Sequence, residues 1–351
     1  MKKLISLLLV LAMALTLVAC GGKTEAPAAT EAPAAEAAPE APAAEVTTYD
    51  VGVAIYQYND NFMTLYRQEI EAYFKTLETD TVKYNITMVD SKNDMAEQTN
   101  QIDTFITQGM DVIILNLVQT SSAEVLIDKV VGAGIPLILI NREPLGDNGD
   151  ESYEGIINNP GVCYVGADAR QSGTYQGEIV LALDDKGDVN GNGKVDYVMI
   201  IGDPENPDAQ YRTEFSIKAL TDAGVEVNKL VDNVGNWDQT KGQEIAAAAL
   251  AQFGDEIDVI FCNNDGMALG AAAAIEAAGR VVGEDIYLLG VDALDECQEM
   301  VKAGTMTGTV LNDHIGQSHA AVDAAVAALN GEALQNYYWV DYVKVDANYF
   351  G

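Results

Sequence analysis

Val112-Ile113-Ile114-Leu115, the segment from Ala123 to Gly132, and Pro136-Leu137-Ile138-Leu139-Ile140 together decide how this chain folds. The two outer runs are apolar at almost every position and rich in β-branched residues, so each reads as a strand buried on both faces. The segment between them carries a helical pattern. Strand, crossover helix and strand make the unit of a parallel sheet covered by helices. The same alternation extends upstream through strands at Val51 to Ile55 and Tyr84 to Val89, with helical patterns at Met63 to Leu77 and Met95 to Gln108, and downstream to Val162-Cys163-Tyr164-Val165. It then restarts with Tyr197 to Ile201, Val259 to Cys262 and Tyr287 to Val291. Two such series predict an α/β protein of two doubly wound, Rossmann-like domains, which suits a chain of 351 residues.

Charge narrows the function. With 19 Lys and Arg against 54 Asp and Glu, the formal charge is 19 − 54 = −35. A nucleic-acid ligand is thereby excluded, because binding phosphates needs clustered cations. Lys2 and Lys3 precede an apolar run from Leu4 to Ala19 that, as a helix, reaches only about 24 Å, which is short for a membrane span and suits a signal peptide over residues 1–19. The run closes on Leu17-Val18-Ala19-Cys20-Gly21, which resembles a bacterial lipobox and marks Cys20 for diacylation; a plain secretory signal with an incidental cysteine is the alternative. Residues 20–47 are mostly Ala, Pro, Glu and Thr, with Glu25 to Ala29 echoed at Glu31 to Ala35, and read as an extended tether. The expected location is outside the cell, attached to the membrane through the N-terminal lipid. Cys163, Cys262 and Cys297 form no CxxC pattern; the first two sit in apolar strands and read as core residues.

In open α/β sheets ligands bind beyond the carboxyl ends of the strands. The residues found there are Asp60-Asn61-Phe62, Asn141-Arg142-Glu143, Asp203 to Arg212, Asn263-Asn264-Asp265, Asp292 and Asn312-Asp313. No nucleophile is paired with a base, and there is neither GxGxxG nor a P-loop. Planar amides, carboxylates and a guanidinium can each meet adjacent hydroxyls, and flat rings can cover the apolar faces of a pyranose. The pattern points to a neutral sugar. Any one of these residues alone could be a loop cap or turn former.

Several motifs in order, among them Val51 to Met63, Val89 to Asp94, Ile140 to Pro144, Pro207 to Arg212, Asn263 to Ala268 and Gly308 to Asp313, resemble the bacterial galactose/glucose-binding proteins, solute receptors of sugar ABC transporters. The likeness runs from about residue 48 to the C-terminus. It implies a type I periplasmic binding protein fold, with two domains joined by a three-strand hinge and closing over D-galactose or D-glucose. By position, Asp60, Asn141, Asp208, Arg212, Asn264, Asp292 and Asn312 would hydrogen-bond the sugar, while Phe62 and Trp237 would sandwich it. Asn206 stands where the family has a sugar-binding His. The implied domains are 48–166 plus 315–342, and 167–314 plus 343–351, with hinges near Gly166, Asn312 and Tyr342. An ABC permease is the implied partner, a chemoreceptor a second one, and the protein a monomer.

A second site reads independently. Asp188, Asn190, Asn192 and Asp196 stand at positions 1, 3, 5 and 9 of an EF-hand-like loop, with Gly193 at 6 and the Lys194 carbonyl at 7. Position 12, where a bidentate Glu belongs, is Met199. The loop is a polar turn, or a carboxylate arrives from elsewhere. The family completes its calcium loop with a Glu, and the matching residue here is Asp258, one methylene shorter. A structural Ca²⁺ on Asp188, Asn190, Asn192, Lys194, Asp196 and Asp258 is the expectation.

Two other functions bear weighing. An exported glycosidase would use two of Asp60, Asp208 and Asp292 as acid and base; against it, Arg212 and the amides should hold those carboxylates ionised. A sugar-sensing repressor conflicts with the signal peptide, the acidic charge and the lack of a helix-turn-helix segment.

Overall fold

A computed structural model describes residues 45–146 and 153–351. The expected signal peptide, Cys20 and the tether as far as residue 44 lie outside the described residues. Residues 45–351 form one compact unit, built around two parallel sheets.

The first lobe begins with β1 (Thr47–Ile55), α1 (Asn61–Leu77), β2 (Val82–Asp90), α2 (Met95–Gln108) and β3 (Val112–Leu115), and continues through α3 (Ala123–Gly132), β4 (Leu137–Ile140), α4 (Glu154–Ile157) and β5 (Val162–Gly166). The second holds α5 (Ala169–Leu181), β6 (Val195–Ile201), α6 (Pro207–Asp222), β7 (Val227–Val234), α7 (Gln239–Phe253), β8 (Val259–Cys262), α8 (Asp265–Ala277), β9 (Tyr287–Leu289), α9 (Asp295–Ala303) and β10 (Thr309–Leu311). The chain ends with α10 (His314–Leu329), which packs on α1, then β11 (Tyr337–Trp339) and β12 (Val343–Val345).

The first sheet has the order β11-β5-β4-β3-β1-β2 and the second β7-β6-β8-β9, all parallel. Single bridges, Leu289 to Gly308 and Asp292 to Leu311, lay β10 beside β9. The two lobes thus share one winding, in which the first strand lies between the second and third. The chain changes lobes three times, after β5, after β10 and after β11. The last two changes place β12 antiparallel to β10, the one pair that departs from the expected parallel pattern.

Residues 51, 53 and 55 of β1 are fully buried in one apolar cluster and Ala54 in another, on the opposite face of the sheet. This is the two-sided burial that the unbroken apolar runs require. Cys163, Cys262 and Cys297 are all buried. β7 has no apolar run to announce it, because it is an edge strand with much of its length exposed. β9 stops at Leu289 rather than Val291, where the chain turns toward Asp292.

Candidate functional site

Three of the helices that follow strands begin with a short polar cap that lines the cleft between the lobes. Asp60 caps α1, its Oδ1 accepting from Met63 N at 2.7 Å while Oδ2 accepts from the Tyr56 hydroxyl at 2.6 Å. Asn206 caps α6, with Pro207 at the first helical position, and its Oδ1 accepts from Asp208 N at 3.0 Å. Its amide nitrogen is left free to donate to a ligand. Asn264 caps α8 through Met267 N, and its Nδ2 donates to the Trp237 carbonyl at 3.3 Å.

Asp208 and Arg212 lie one turn apart on α6, with Nη2 of Arg212 3.0 Å from Asp208 Oδ2. Arg212 also donates to the Asn263 carbonyl at 2.8 Å and the Tyr342 hydroxyl at 3.0 Å, and stands 3.9 Å from Asp292. Asp292 accepts from Asn312 Nδ2 at 3.2 Å, and Asn312 accepts from Gln317 at 2.6 Å. Asn141 receives the Asn116 amide at 3.1 Å. Trp237 has a left-handed backbone (φ 66°), and its ring sits on Gly202.

All ten residues singled out as sugar contacts line a single narrow cavity. Tyr56, Met63 and Arg142 complete its wall. Tyr56 and Arg142 stand inside quoted motifs, but nothing local marks them as lining; Met63 reads simply as an apolar helix residue. Among the lining residues, the buried nitrogens without a protein partner are Nε and Nη2 of Arg142, Nε of Arg212 and Nε1 of Trp237. A buried donor left unpaired is costly, so this wall suits a ligand that accepts hydrogen bonds. Asp60, Asp208 and Asp292 supply the opposite need, for hydroxyls that donate.

The electrostatics correct one expectation. Burial pushes the Asp208 carboxyl up and the Asp292 carboxyl well up, and the pull of Arg212 offsets only part of that. Arg212 itself is held firmly protonated: burial works against its charge, but Tyr342, Asp208 and Asp292 more than compensate. The argument that Arg212 keeps these carboxyls low therefore does not hold for the ligand-free cleft.

The 188–196 loop folds in part as its spacing predicts. Asp188 accepts from the N–H groups of Asn192 and Gly193, Asn190 from Asn192 N, and Asn192 from Lys194 N. These Asx turns fit an EF-hand loop. The other donors are engaged elsewhere. Asp258, fully buried, accepts Asn190 N at 2.9 Å and Asp196 N at 2.8 Å, so it braces the loop with both oxygens instead of standing free as a bidentate ligand. Asp196 binds the Lys194 ammonium at 2.8 Å together with the amides of Asn192 and Asn228. Burial would raise the Asp196 carboxyl, but these three donors bring it below its usual value. Among the described residues no three His, Cys, Asp or Glu are gathered as a metal-holding group. The loop half of the donor set fits calcium; the half supplied by Asp196 and Asp258 is already taken by the protein's own donors.

Two α/β lobes crossed three times by the chain, with a polar, aromatic-walled cavity between them, define a hinged solute receptor. The chain belongs to the periplasmic binding protein domain family, whose profile matches residues 51–333. It is 33% identical over 314 residues to the D-galactose/methyl-galactoside binding periplasmic protein MglB of Haemophilus influenzae, covering 86% of this chain and 90% of that one. It is 32% identical over 296 residues to a putative rhizopine-binding protein of Rhizobium meliloti, covering 84% of this chain and 89% of that one. An ABC transporter solute-binding protein from Bacillus halodurans, solved with bound myo-inositol, superposes with a TM-score of 0.73 at 28% identity, over 86% of this chain and 95% of the other.

Proposed function

We propose that the protein is an extracytoplasmic receptor, anchored through a lipid on Cys20, that takes D-galactose or D-glucose into the cleft and delivers it to an ABC transporter permease. One observation carries the reading: a single small cavity combines unpaired buried donors, three carboxylates and three aromatic side chains, Tyr56, Phe62 and Trp237. A polyhydroxylated ring with apolar faces satisfies all three at once. The protein makes and breaks no bond. The sugar binds the closed arrangement better than the open one and shifts that equilibrium.

The moving bodies are 48–166 plus 315–342, and 167–314 plus 343–351. A monomer suits this motion, and a chemoreceptor is a second candidate reader of the closed form. Ca²⁺ binds the 188–196 loop as a structural ion through Asp188, Asn190, Asn192, the Lys194 carbonyl and Asp196, which must give up the Lys194 ammonium. Asp258 serves mainly as the brace beneath them. A cyclitol is the second reading for the cleft, favoured by the likeness to the myo-inositol complex.

Calorimetry on a chain beginning near residue 47, with D-galactose, D-glucose, D-ribose, D-xylose and myo-inositol, tests the proposal. Saturable 1:1 binding of galactose or glucose, without turnover, is expected. Heat with myo-inositol alone would transfer the assignment to cyclitols, and hydrolysis of a glycoside would replace the receptor by an enzyme.

A further inference from the structure

Arg142 is held by an unusual turn. Its N–H donates to the Ile140 carbonyl at 2.7 Å, two residues back, and the residue between them, Asn141, has φ 63°. A three-residue turn with a positive φ at a non-glycine centre is strained, and such strain persists only where the surroundings enforce it. The turn sends the Arg142 side chain, with no exposed surface, to the meeting point of the lobes.

There Nη1 donates to the Val118 carbonyl of its own lobe and, at 3.0 Å, to Oδ2 of Asp203, which follows β6 in the other lobe. Asp203 is fixed by its own turn, Oδ1 accepting from Glu205 N at 3.0 Å. Beside it Thr120 Oγ1 donates across the same gap to the Glu205 carbonyl at 3.4 Å. On its inner side the guanidinium lies over the Tyr56 ring, 3.9 Å from the centroid, and the Tyr56 hydroxyl binds Asp60. A continuous path thus runs from Asp203 through Arg142 and Tyr56 to a cavity carboxylate, although Asp203 does not itself line the cavity.

We propose that Arg142 and Asp203 form a latch that holds the lobes closed and thereby sets how long a ligand stays. Opening separates the ion pair and hydrates both groups, while Arg142 keeps Val118 and Tyr56 on its own side. Asp203 is a positioning residue: it acts on the ligand only through the closed state. The proposal rests on the receptor reading for its effect on the ligand, but the latch itself can be observed without one.

Asp203→Asn keeps the Asx turn and removes the charge. In stopped-flow measurements with D-galactose, the dissociation rate of the variant should rise about tenfold while the association rate stays within about twofold, as expected for loss of a covered charge pair. Raising salt should speed release from the wild type and leave the variant nearly unaffected. Asp203→Glu should recover part of the slow release, which a merely structural role would not predict. Spin labels at the exposed positions Glu124 and Glu214, one on each lobe, read the ligand-free distance distribution; Asp203→Asn should move it toward longer distances. Unchanged release rate and salt response would overturn the latch and leave the receptor intact. If no sugar binds, an unchanged distance distribution overturns it on its own.

Discussion

Gly202 is the seat of the Trp237 ring, and a single methyl group placed there tests the role of that ring. A Cβ at Gly202 would lie 2.1 Å from Cη2 and 2.3 Å from both Cζ2 and Cζ3 of Trp237, whereas ordinary contact begins at 3.4 Å. The indole would have to withdraw by 3.4 − 2.1, about 1.3 Å. It has little freedom to do so, being 9% exposed with Asn236 and Trp237 both left-handed in the backbone. Overpacking of this kind costs about 1–3 kcal/mol of stability, a fall in Tm of roughly 1–4 °C for a chain this long. Binding should suffer more. A displaced ring forfeits an aromatic contact worth about 0.5–1.5 kcal/mol beyond its buried area, and with that area a Kd rise of about 10- to 100-fold follows. Calorimetry gives the affinity and far-UV circular dichroism the fold. Trp237 and Trp339 are the two tryptophans, so fluorescence in a Trp339→Phe background follows the moving ring alone. Gly202→Ala protein that binds its sugar within twofold of wild type would refute the stacking role of Trp237.

Asn206→Asp preserves the cap on Asp208 N but replaces the free donor with an acceptor; calorimetry should show a Kd higher by about tenfold or more, with the melting temperature nearly unchanged. An unaltered Kd would mean that the Asn206 nitrogen touches no ligand. The raised Asp208 and Asp292 carboxyls predict a pH dependence with a definite sign. A hydroxyl donating to a carboxylate stabilises its ionised form, so binding pulls these groups back down, releases protons and weakens as the pH falls. Titrations at acid pH in buffers of different ionisation enthalpy should report that release, and proton uptake would contradict the assigned contacts. Calcium should raise the melting temperature relative to chelator, and Lys194→Met, by freeing Asp196, should enlarge the shift. No calcium-dependent shift in either protein would remove the ion from the loop.

The strands were legible wherever burial is two-sided. Val112–Leu115 and Val259–Cys262 have the bounds that their apolar runs predict, because a strand between two helical layers has no polar position to blur its ends. Edge strands β7 and β11 were not, since one free edge removes the demand for a continuous apolar run. The antiparallel β10–β12 pair depends on where the chain returns after its last crossing, which no local pattern encodes. In the 188–196 loop the spacing marked a polar turn or ion loop, and the structure fills it with Asx turns. The spacing could not give the partners of Asp258, because that residue meets the N–H groups of Asn190 and Asp196 from an element far away in sequence.

The cavity residues were legible for a related physical reason. A helix that follows a strand needs a short polar side chain to receive its first N–H groups, and at a cleft that same residue turns its remaining atoms toward the ligand. Asp60, Asn206 and Asn264 are caps and cavity residues together, so a capping role does not remove a residue from the cavity wall. The cap also fixes what each residue can still offer. At Asn206 it takes one lone pair of the oxygen and leaves the amide donor free; at Asp60, with Tyr56 on the second oxygen, it leaves only further lone pairs. Tyr56 and Gly202 escaped notice, and Arg142 was noted after its strand but given no contact, because none of them caps anything. Their roles are the seating of Asp60, of Asp203 across the cleft and of the Trp237 ring, and each is set by a contact between elements far apart in sequence or, for Tyr56, by the turn between β1 and α1.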